Sequence, residues 1–410
     1  MREVRSSCAP EVMSLETLSV LQLCANNEPL LPNLKGLYLW EIRGPFVPFI
    51  LFFLSRRITS ISLGFESDLP KVIAASVVST IPTSCPDLQV ISLGILPRDP
   101  IITAAVSRMI LATNRTTLRK FHVGSPLTKE ASEVVLKLRN LRNLTMVTEE
   151  ESSLCPASLP NLTRLKVMCY NEDDWPRLFR GATFGQLESV KFFPQSEEIG
   201  DFLGAFEKAA LSSSVQNTLS KFHVSADCLW NPTYPSLLPF TQLANLYIGF
   251  FCDDECSSTV DDDVVISLSR AMPRLNTLQL GHLPCREPTI GVTAKGLMAL
   301  ALHCPNLSSL CIHFQVDGLI SPPASPGMTP DAEPTTSWTD CALTELSVGD
   351  IPVPEESVLM ITLALLRIFP RINNIYSFDD EGWDEVQDAI RISKRVVDCS
   401  SKHFSHYTLE

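Results

Sequence analysis

The sequence predicts an α/β fold in which strand, loop and helix recur many times as a solenoid, with a curved parallel sheet inside and helices outside. Three observations carry the prediction. One apolar frame, Leu-x-x-Leu-x-Leu with Ile, Val, Phe or Met as substitutes, returns fourteen times along 410 residues. Proline stands two residues ahead of the frame in six copies, at Pro32, Pro86, Pro160, Pro273, Pro305 and Pro370. Two copies are nearly literal: Thr117-Leu-Arg-Lys-Phe-His-Val123 and Thr218-Leu-Ser-Lys-Phe-His-Val224.

The clearest copy is Met272–Leu280, whose Leu275, Leu278 and Leu280 reappear 32 residues later as Leu307, Leu310 and Ile312. Such spacing describes a short strand with alternating inward side chains, approached from a helix that has just ended. In order, the frames begin at Leu15, Leu34, Ile58, Leu88, Leu118, Leu141, Leu162, Leu187, Leu219, Leu243, Leu275, Leu307, Leu343 and, more weakly, Ile372. Successive starts lie 19 to 36 residues apart. A leucine-rich repeat runs roughly 20–29 residues, so most intervals fit and the longer ones carry insertions. The prediction is about 14 irregular leucine-rich repeats forming one solenoid over residues 1–410. A single globular core of this size would divide, whereas a solenoid buries each repeat on its neighbours.

Between frames lie helical patterns. Thr293 caps a helix with Leu297, Leu300, Ala301 and Cys304 on one face. Asp261 starts another with Val264, Leu268, Ala271 and Met272 inward, and Pro354 opens a third carrying Val358, Ile361, Leu365 and Ile368. Proline before the frame ends each incoming helix and extends the residue ahead of it. A closing cap is expected over residues 384–410, with Asp384 capping a helix that turns Val386, Ile390 and Val397 inward. No comparable cap precedes Leu15. Residues 317–341 hold five prolines and few apolar anchors, which predicts a disordered Pro/Ser/Thr-rich insertion with kinase-type Ser-Pro and Thr-Pro dipeptides.

Several functions are disfavoured. No phosphate-binding glycine loop, His-Glu-x-x-His or Gly-x-Ser-x-Gly motif occurs, so no enzyme and no cofactor are predicted. The thirteen cysteines are odd in number and scattered, which reads as buried reduced thiols. Cys252-Asp-Asp-Glu-Cys256 has a metal-like look, but no paired set follows at finger spacing, so no metal is predicted. No signal peptide opens the chain, and the apolar run Phe46–Leu54 is too short to span a bilayer. Three of the four sequons (Asn143, Asn161 and Asn306, but not Asn114) arise from the repeat itself. A cytoplasmic or nuclear location without a membrane partner is expected. A formal net charge of −13 argues against nucleic acid.

The repeats resemble the leucine-rich-repeat region of fungal F-box-like proteins. The resemblance rests on the Cys-Pro-x-Leu frames at Cys85 and Cys304 and on Leu-Pro-Asn-Leu at Leu31 and Leu159. Phe369-Pro-Arg-Ile-Asn-Asn-Ile375, followed by the acidic, Trp383-bearing helix, adds to it. The resemblance implies a substrate receptor of a cullin-type ubiquitin ligase, whose F-box docks on the adaptor while the solenoid holds the target protein. The F-box is a helical module longer than the fourteen residues ahead of Leu15, so adaptor binding is expected only if an F-box lies upstream. The alternatives are a regulator of the GTPase-activator kind, an F-box-less binding protein, or a secreted recognition repeat.

Function in a solenoid lies on its surfaces. Acidic residues are expected on the rim after the strands, at Glu149–Glu151, Asp173–Asp174, Asp253–Glu255, Asp261–Asp263 and Asp379–Glu381. Alternation turns the third, fifth and seventh frame positions away from the core. In repeats five to nine these are Lys120, His122, Gly124; Asn143, Thr145, Val147; Arg164, Lys166, Met168; Ser189, Lys191, Phe193; and Lys221, His223, Ser225. None is acidic in a chain with 46 acidic and 33 basic residues. The predicted partner-binding set on this concave face is therefore Lys120, His122, Arg164, Lys166, Lys191, Phe193, Lys221, His223 and Tyr247, holding an acidic or phosphorylated target segment. His122 and His223 share a strand position, which reflects repeat symmetry rather than catalysis.

Overall fold

The computed structural model describes residues 3–6, 15–24, 29–66, 68–94, 99–148, 157–169, 178–179, 181–194, 202–213, 215–227, 234–251, 260–281, 291–320, 341–348, 352–377 and 382–405. They group into two compact units, Met1–Thr218 and Leu219–Glu410.

The first unit contains strands β1 (Glu3–Ser6), β2 (Gly36–Ile42), β3 (Ser60–Phe65), β4 (Val90–Gly94), β5 (Lys120–Pro126), β6 (Asn143–Val147), β7 (Ser158–Leu159), β8 (Arg164–Cys169), β9 (Thr183–Phe184) and β10 (Ser189–Pro194). Eight of these pair in parallel in chain order, while β7 and β9 form a ladder of their own. Its helices are α1 (Leu15–Cys24), α2 (Val47–Phe53), α3 (Lys71–Ser84), α4 (Pro100–Ala112), α5 (Lys129–Val135) and α6 (Phe202–Ser212).

The second unit repeats the design. Strands β11 (Lys221–Asp227), β12 (Asn245–Phe251), β13 (Thr277–Leu280), β14 (Ser309–Ile312), β15 (Glu345–Ser347) and β16 (Asn374–Tyr376) pair in parallel. Its helices are α7 (Asp262–Ala271), α8 (Ala294–His303), the single turn α9 (Asp317–Ile320), α10 (Val358–Ile368) and α11 (Trp383–Ser405).

The frame leucines form the core. From Leu34 to Val348 nearly all frame residues are buried, Leu39 being half exposed. Register is set by a backbone device. The carbonyl at the second frame position accepts from two consecutive N–H groups of the next repeat, as Thr59 does from Gln89 and Val90. The chain of acceptors runs Lys35, Thr59, Gln89, Arg119, Arg142, Thr163 in the first unit and Ser220, Ala244, Asn276, Ser308, Thr344 in the second. The prolines act one step later than helix termination. In Cys304-Pro-Asn-Leu307 the Leu307 N–H returns to the Cys304 carbonyl, so Pro305 fills the second position of a β-turn, where its fixed φ fits. Met272–Leu275, Phe369–Ile372, Leu31–Leu34 and Leu159–Leu162 close in the same way.

Buried thiols bind one repeat to the next. Cys304 Sγ donates to the Ser269 and Met272 carbonyls at 3.6 Å, and Cys341 Sγ to the Cys304 and Leu307 carbonyls at 3.9 Å. Burial pushes Cys85 to about 11 and Cys304 and Cys311 to about 12, the range of inert thiols. Cys85, Cys169, Cys304, Cys311 and Cys341 are buried and form no disulfide among the described residues.

Several expectations are corrected. Leu15–Val20 is not a strand but part of α1, and the first strand is β1, paired with β2. Leu15 and Leu18 fit a helical period, continued by Leu21, as well as the strand frame, and no proline stands two residues ahead of Leu15. Between β6 and β10 the described residues include the two-residue strands β7 and β9 and helical Leu178 and Phe179, with Phe179, Phe184, Phe192 and Phe206 clustered at ring distances of 5.3 to 6.1 Å. On α7 Leu268 and Met272 are buried as expected, but Val265 rather than Val264 turns inward and Ala271 is only half buried. Of the expected insertion 317–341, Asp317–Ile320 is helical with Leu319 buried, and Cys341 is buried; residues 321–340 lie outside the described set.

The last helix closes the second unit. Trp383, rather than Asp384, opens α11, with Asp384 in the first turn and Trp383 set edge-on to Phe314 at 6.1 Å. Val386 and Ile390 are buried as expected; the Val397 side chain and residues 406–410 lie outside the described set. The Gln387 amide donates to the Asn373 carbonyl at 2.7 Å and accepts from the Ile375 N–H, supplying β16 with the partners a further strand would give.

The acidic rim is consumed by capping where it is visible. Asp261 Oδ1 accepts from the Val264 N–H at 2.8 Å and caps its own helix. Asp262 Oδ1 accepts from the Thr293 and Gly296 N–H groups at 2.8 and 3.0 Å, and Oδ2 from the Thr293 hydroxyl at 2.7 Å. It therefore caps α8 of the next repeat. Asp263 is exposed and faces Lys295 at 3.9 Å, while the other acidic runs lie outside the described residues. Removing a cap costs about 0.5–2 kcal/mol, and an exposed ion pair contributes about 0–1 kcal/mol. Asp262→Ala should lower stability by about 1–2 kcal/mol, near the upper end of the capping range. Asp263→Ala should sit near wild type, and parallel thermal melts check the ordering.

Candidate partner-binding face

Strand side chains alternate, so with the frame residues inward the third, fifth and seventh positions form rows across the opposite, open face of each sheet. In the first unit, register aligns the third positions as Gly36, Ser60, Val90, Lys120, Asn143, Arg164 and Ser189. The fifth positions align as Tyr38, Ser62, Ser92, His122, Thr145, Lys166 and Lys191. Lys120, Arg164 and Lys191 are exposed, and His122 and Lys166 half buried.

Lys166 and Lys191 stand directly opposite on neighbouring strands. Like charges in that relation destabilise a sheet. The ammonium of Lys166 lies 4.7 Å from the centre of the half-buried Phe193 ring, a cation–π contact. Burial and then the charge of Lys191 lower the Lys166 pKa from the usual lysine value. His122 is lowered too, by burial first and then by Lys166 and Lys120. These side chains thus lie within one another's positive field.

The structure brings Lys120, His122, Arg164, Lys166, Lys191 and Phe193 together in the first unit. Lys221, His223 and Tyr247 belong to the second. There Lys221 is exposed, but the His223 and Tyr247 rings stack at 3.9 Å and 11°, so Tyr247 has one face already covered. Beyond Lys221 the second unit's rows read Asn245, Thr277, Ser309, Glu345 and Tyr247, Gln279, Cys311, Ser347. The basic character there is confined to its first strand. Two expected surface positions are corrected: Val147 is 2% and Ser225 3% exposed. Register slips at β5–β6 and sets Pro126 beside Val147, while Ser225 hydrogen-bonds to Tyr247.

Sequence reasoning missed Trp40. Glu41 takes a left-handed φ of 56°, and register between β2 and β3 shifts there. The Trp40 ring lies against Gly64 and Gly94, where an added Cβ would come within 2.7 and 2.9 Å of it. It remains 41% exposed. Glycine directly after the last frame leucine in two consecutive repeats, Leu63-Gly64 and Leu93-Gly94, was the signal available.

Among the described residues no helix is long and apolar enough to cross a membrane. Nor do three or more His, Cys, Asp or Glu residues gather as metal ligands among them; Cys252 and Cys256 lie outside.

Parallel strands in chain order, buried frame leucines and helical returns define each unit as a stack of leucine-rich repeats. No family model matches the sequence, and no curated protein matches it. A solved structure, the yeast complex of Rad7 and Elc1, is similar at a TM-score of 0.41 and 15% identity. The match covers 68% of this chain and 76% of that one.

The depressed His122 has a measurable consequence. Its unfolded form binds a proton at higher pH than its folded form, so stability falls as pH drops through the window between the ordinary histidine pKa and the lowered one. In an NMR titration His122 should titrate below an unperturbed histidine, and Lys166→Gln should move it upward. His122→Gln should flatten the acid limb of the stability profile.

Proposed function

We propose that the chain is a non-catalytic recognition module that holds an acidic or phosphorylated segment of a partner protein across the open face of its first unit. The observation that supports this most directly is the opposed pair Lys166 and Lys191, in rows with no acidic residue. A sheet gains nothing in stability from two lysines held side by side, and in an acidic chain their accumulation is not a matter of composition. An arriving carboxylate or phosphate relieves the repulsion. Hydrogen bonds to charged groups contribute about 1.5–3 kcal/mol each, so a few give micromolar binding.

The biological setting that fits the repeat motifs is target recognition for an F-box type ubiquitin ligase, in the cytoplasm or nucleus, with an F-box upstream of these repeats. Co-purification of the ligase adaptor with the natural full-length protein tests that setting. The binding face has its own test. Lys120→Glu, Lys166→Glu and Lys191→Glu together should reduce capture of a poly-glutamate or phosphopeptide probe at least a hundredfold, with the melting midpoint held or raised. Unchanged capture by a folded triple variant would overturn the reading. Binding by wild type should also weaken steeply between low and high salt, since exposed charges are screened.

A further inference from the structure

The rows at the third and fifth positions are mostly polar and, from β5 onward, carry Lys120, His122, Arg164, Lys166 and Lys191. The row beside them is different. On the open face of the first unit the seventh positions are Trp40, Gly64, Gly94, Gly124, Val147, Met168 and Phe193, with no polar side chain among them. Trp40 lies across Gly64 and Gly94, so its indole forms the surface at β3 and β4. Next come Gly124 and, across the register slip that sets Pro126 beside it, the buried Val147, a low stretch beyond which Met168 and Phe193 rise half exposed. The open face is therefore amphipathic, with an apolar lane along the strand ends and a basic lane one alternation away, about 7 Å.

We infer that this face takes an amphipathic acidic helix of the partner, laid across the strands with its apolar stripe on the lane from Trp40 to Phe193. Its acidic flank faces His122, Lys166 and Lys191. The inference rests on the recognition reading above and names the shape and chemistry of the segment. Charge complementarity selects acidic residues for the flank. Periodicity selects the helix. Strands are spaced about 4.8 Å apart, and a helix advances about 5.4 Å per turn, so one stripe residue meets roughly one strand. Residues on one side of an extended chain recur about every 6.7 Å and fall out of step after two strands. From β3 to β10 the lane crosses five strand spacings, about 24 Å, which a helix of about 16 residues covers.

The experiment uses the full chain and two labelled synthetic peptides of identical composition, read by fluorescence anisotropy and circular dichroism. One places leucines with helical period and glutamates along one flank; the other alternates leucine and glutamate with period two. Wild type should bind the helical isomer at least tenfold more tightly and increase its helicity. Trp40→Ala and, separately, Phe193→Glu should each weaken that binding about tenfold while leaving far-UV dichroism unchanged. Tighter binding of the period-two isomer would overturn the helix. Loss of binding in the lysine triple variant, with Trp40→Ala and Phe193→Glu both silent, would overturn the apolar lane and leave the acidic-segment reading standing. Indifference to all of these substitutions would remove both. A single-stranded oligonucleotide bound as tightly as the helical isomer would mean a general polyanion surface, which also overturns the inference.

Discussion

The shared carbonyl at the second frame position is the constraint on which the rest depends. Each of these oxygens accepts two N–H groups from the next repeat, so adjacent strands begin in step however many residues separate them in sequence. Thr59 to Gln89 spans 30 residues and Arg119 to Arg142 spans 23, yet both joints have the same geometry. A fixed start with alternating side chains forces the third and fifth positions into straight rows, whereas the register slips before the seventh position between β2 and β3 and between β5 and β6. Lys166 faces Lys191 for no other reason.

That constraint leaves the return segments free, and they differ widely. Where an interval is long, an amphipathic helix packs behind the strands, as α3 and α4 do. Between β6 and β10 the returns also carry the paired two-residue strands β7 and β9, beside a cluster of phenylalanines. Neighbouring returns are coupled by contacts that cross one repeat: Asp262 caps the helix after its own, and the Cys304 thiol reaches back to the carbonyls that end α7. The stack ends where Gln387 supplies one amide to the exposed edge of β16. Edge satisfaction by a side chain stops further strand addition without another repeat.

On the open face the same rows concentrate unlike chemistry. Small residues at β3 and β4 admit the Trp40 indole; from β5 onward, long basic side chains rise beside it. Burial first, and neighbouring cations second, lower the pKa of both Lys166 and His122. The fold alone gains nothing in stability from this clustering of cations. The second unit lacks the pattern beyond Lys221, and its most prominent ring pair, His223 and Tyr247, is satisfied internally.

The sequence by itself determined the strands from Leu34 to Val348, because each frame buries its own leucines and a period of two is legible within six residues. It also determined the caps at Asp261 and Thr293 and the basic rows, since alternation follows once the frame is known. Tertiary structure decided what depends on neighbours in different repeats. Leu15 and Leu18 satisfy either a strand or a helical spacing, and α1 forms while β1 takes the edge of β2. Asp262 reads as a surface carboxylate until the next helix, 31 residues on, presents its N–H groups. Trp40 reads as one more exposed strand position until Gly64 and Gly94 come beneath it. Sequence distance says nothing of these meetings, because the length of each return varies while the register that aligns them does not.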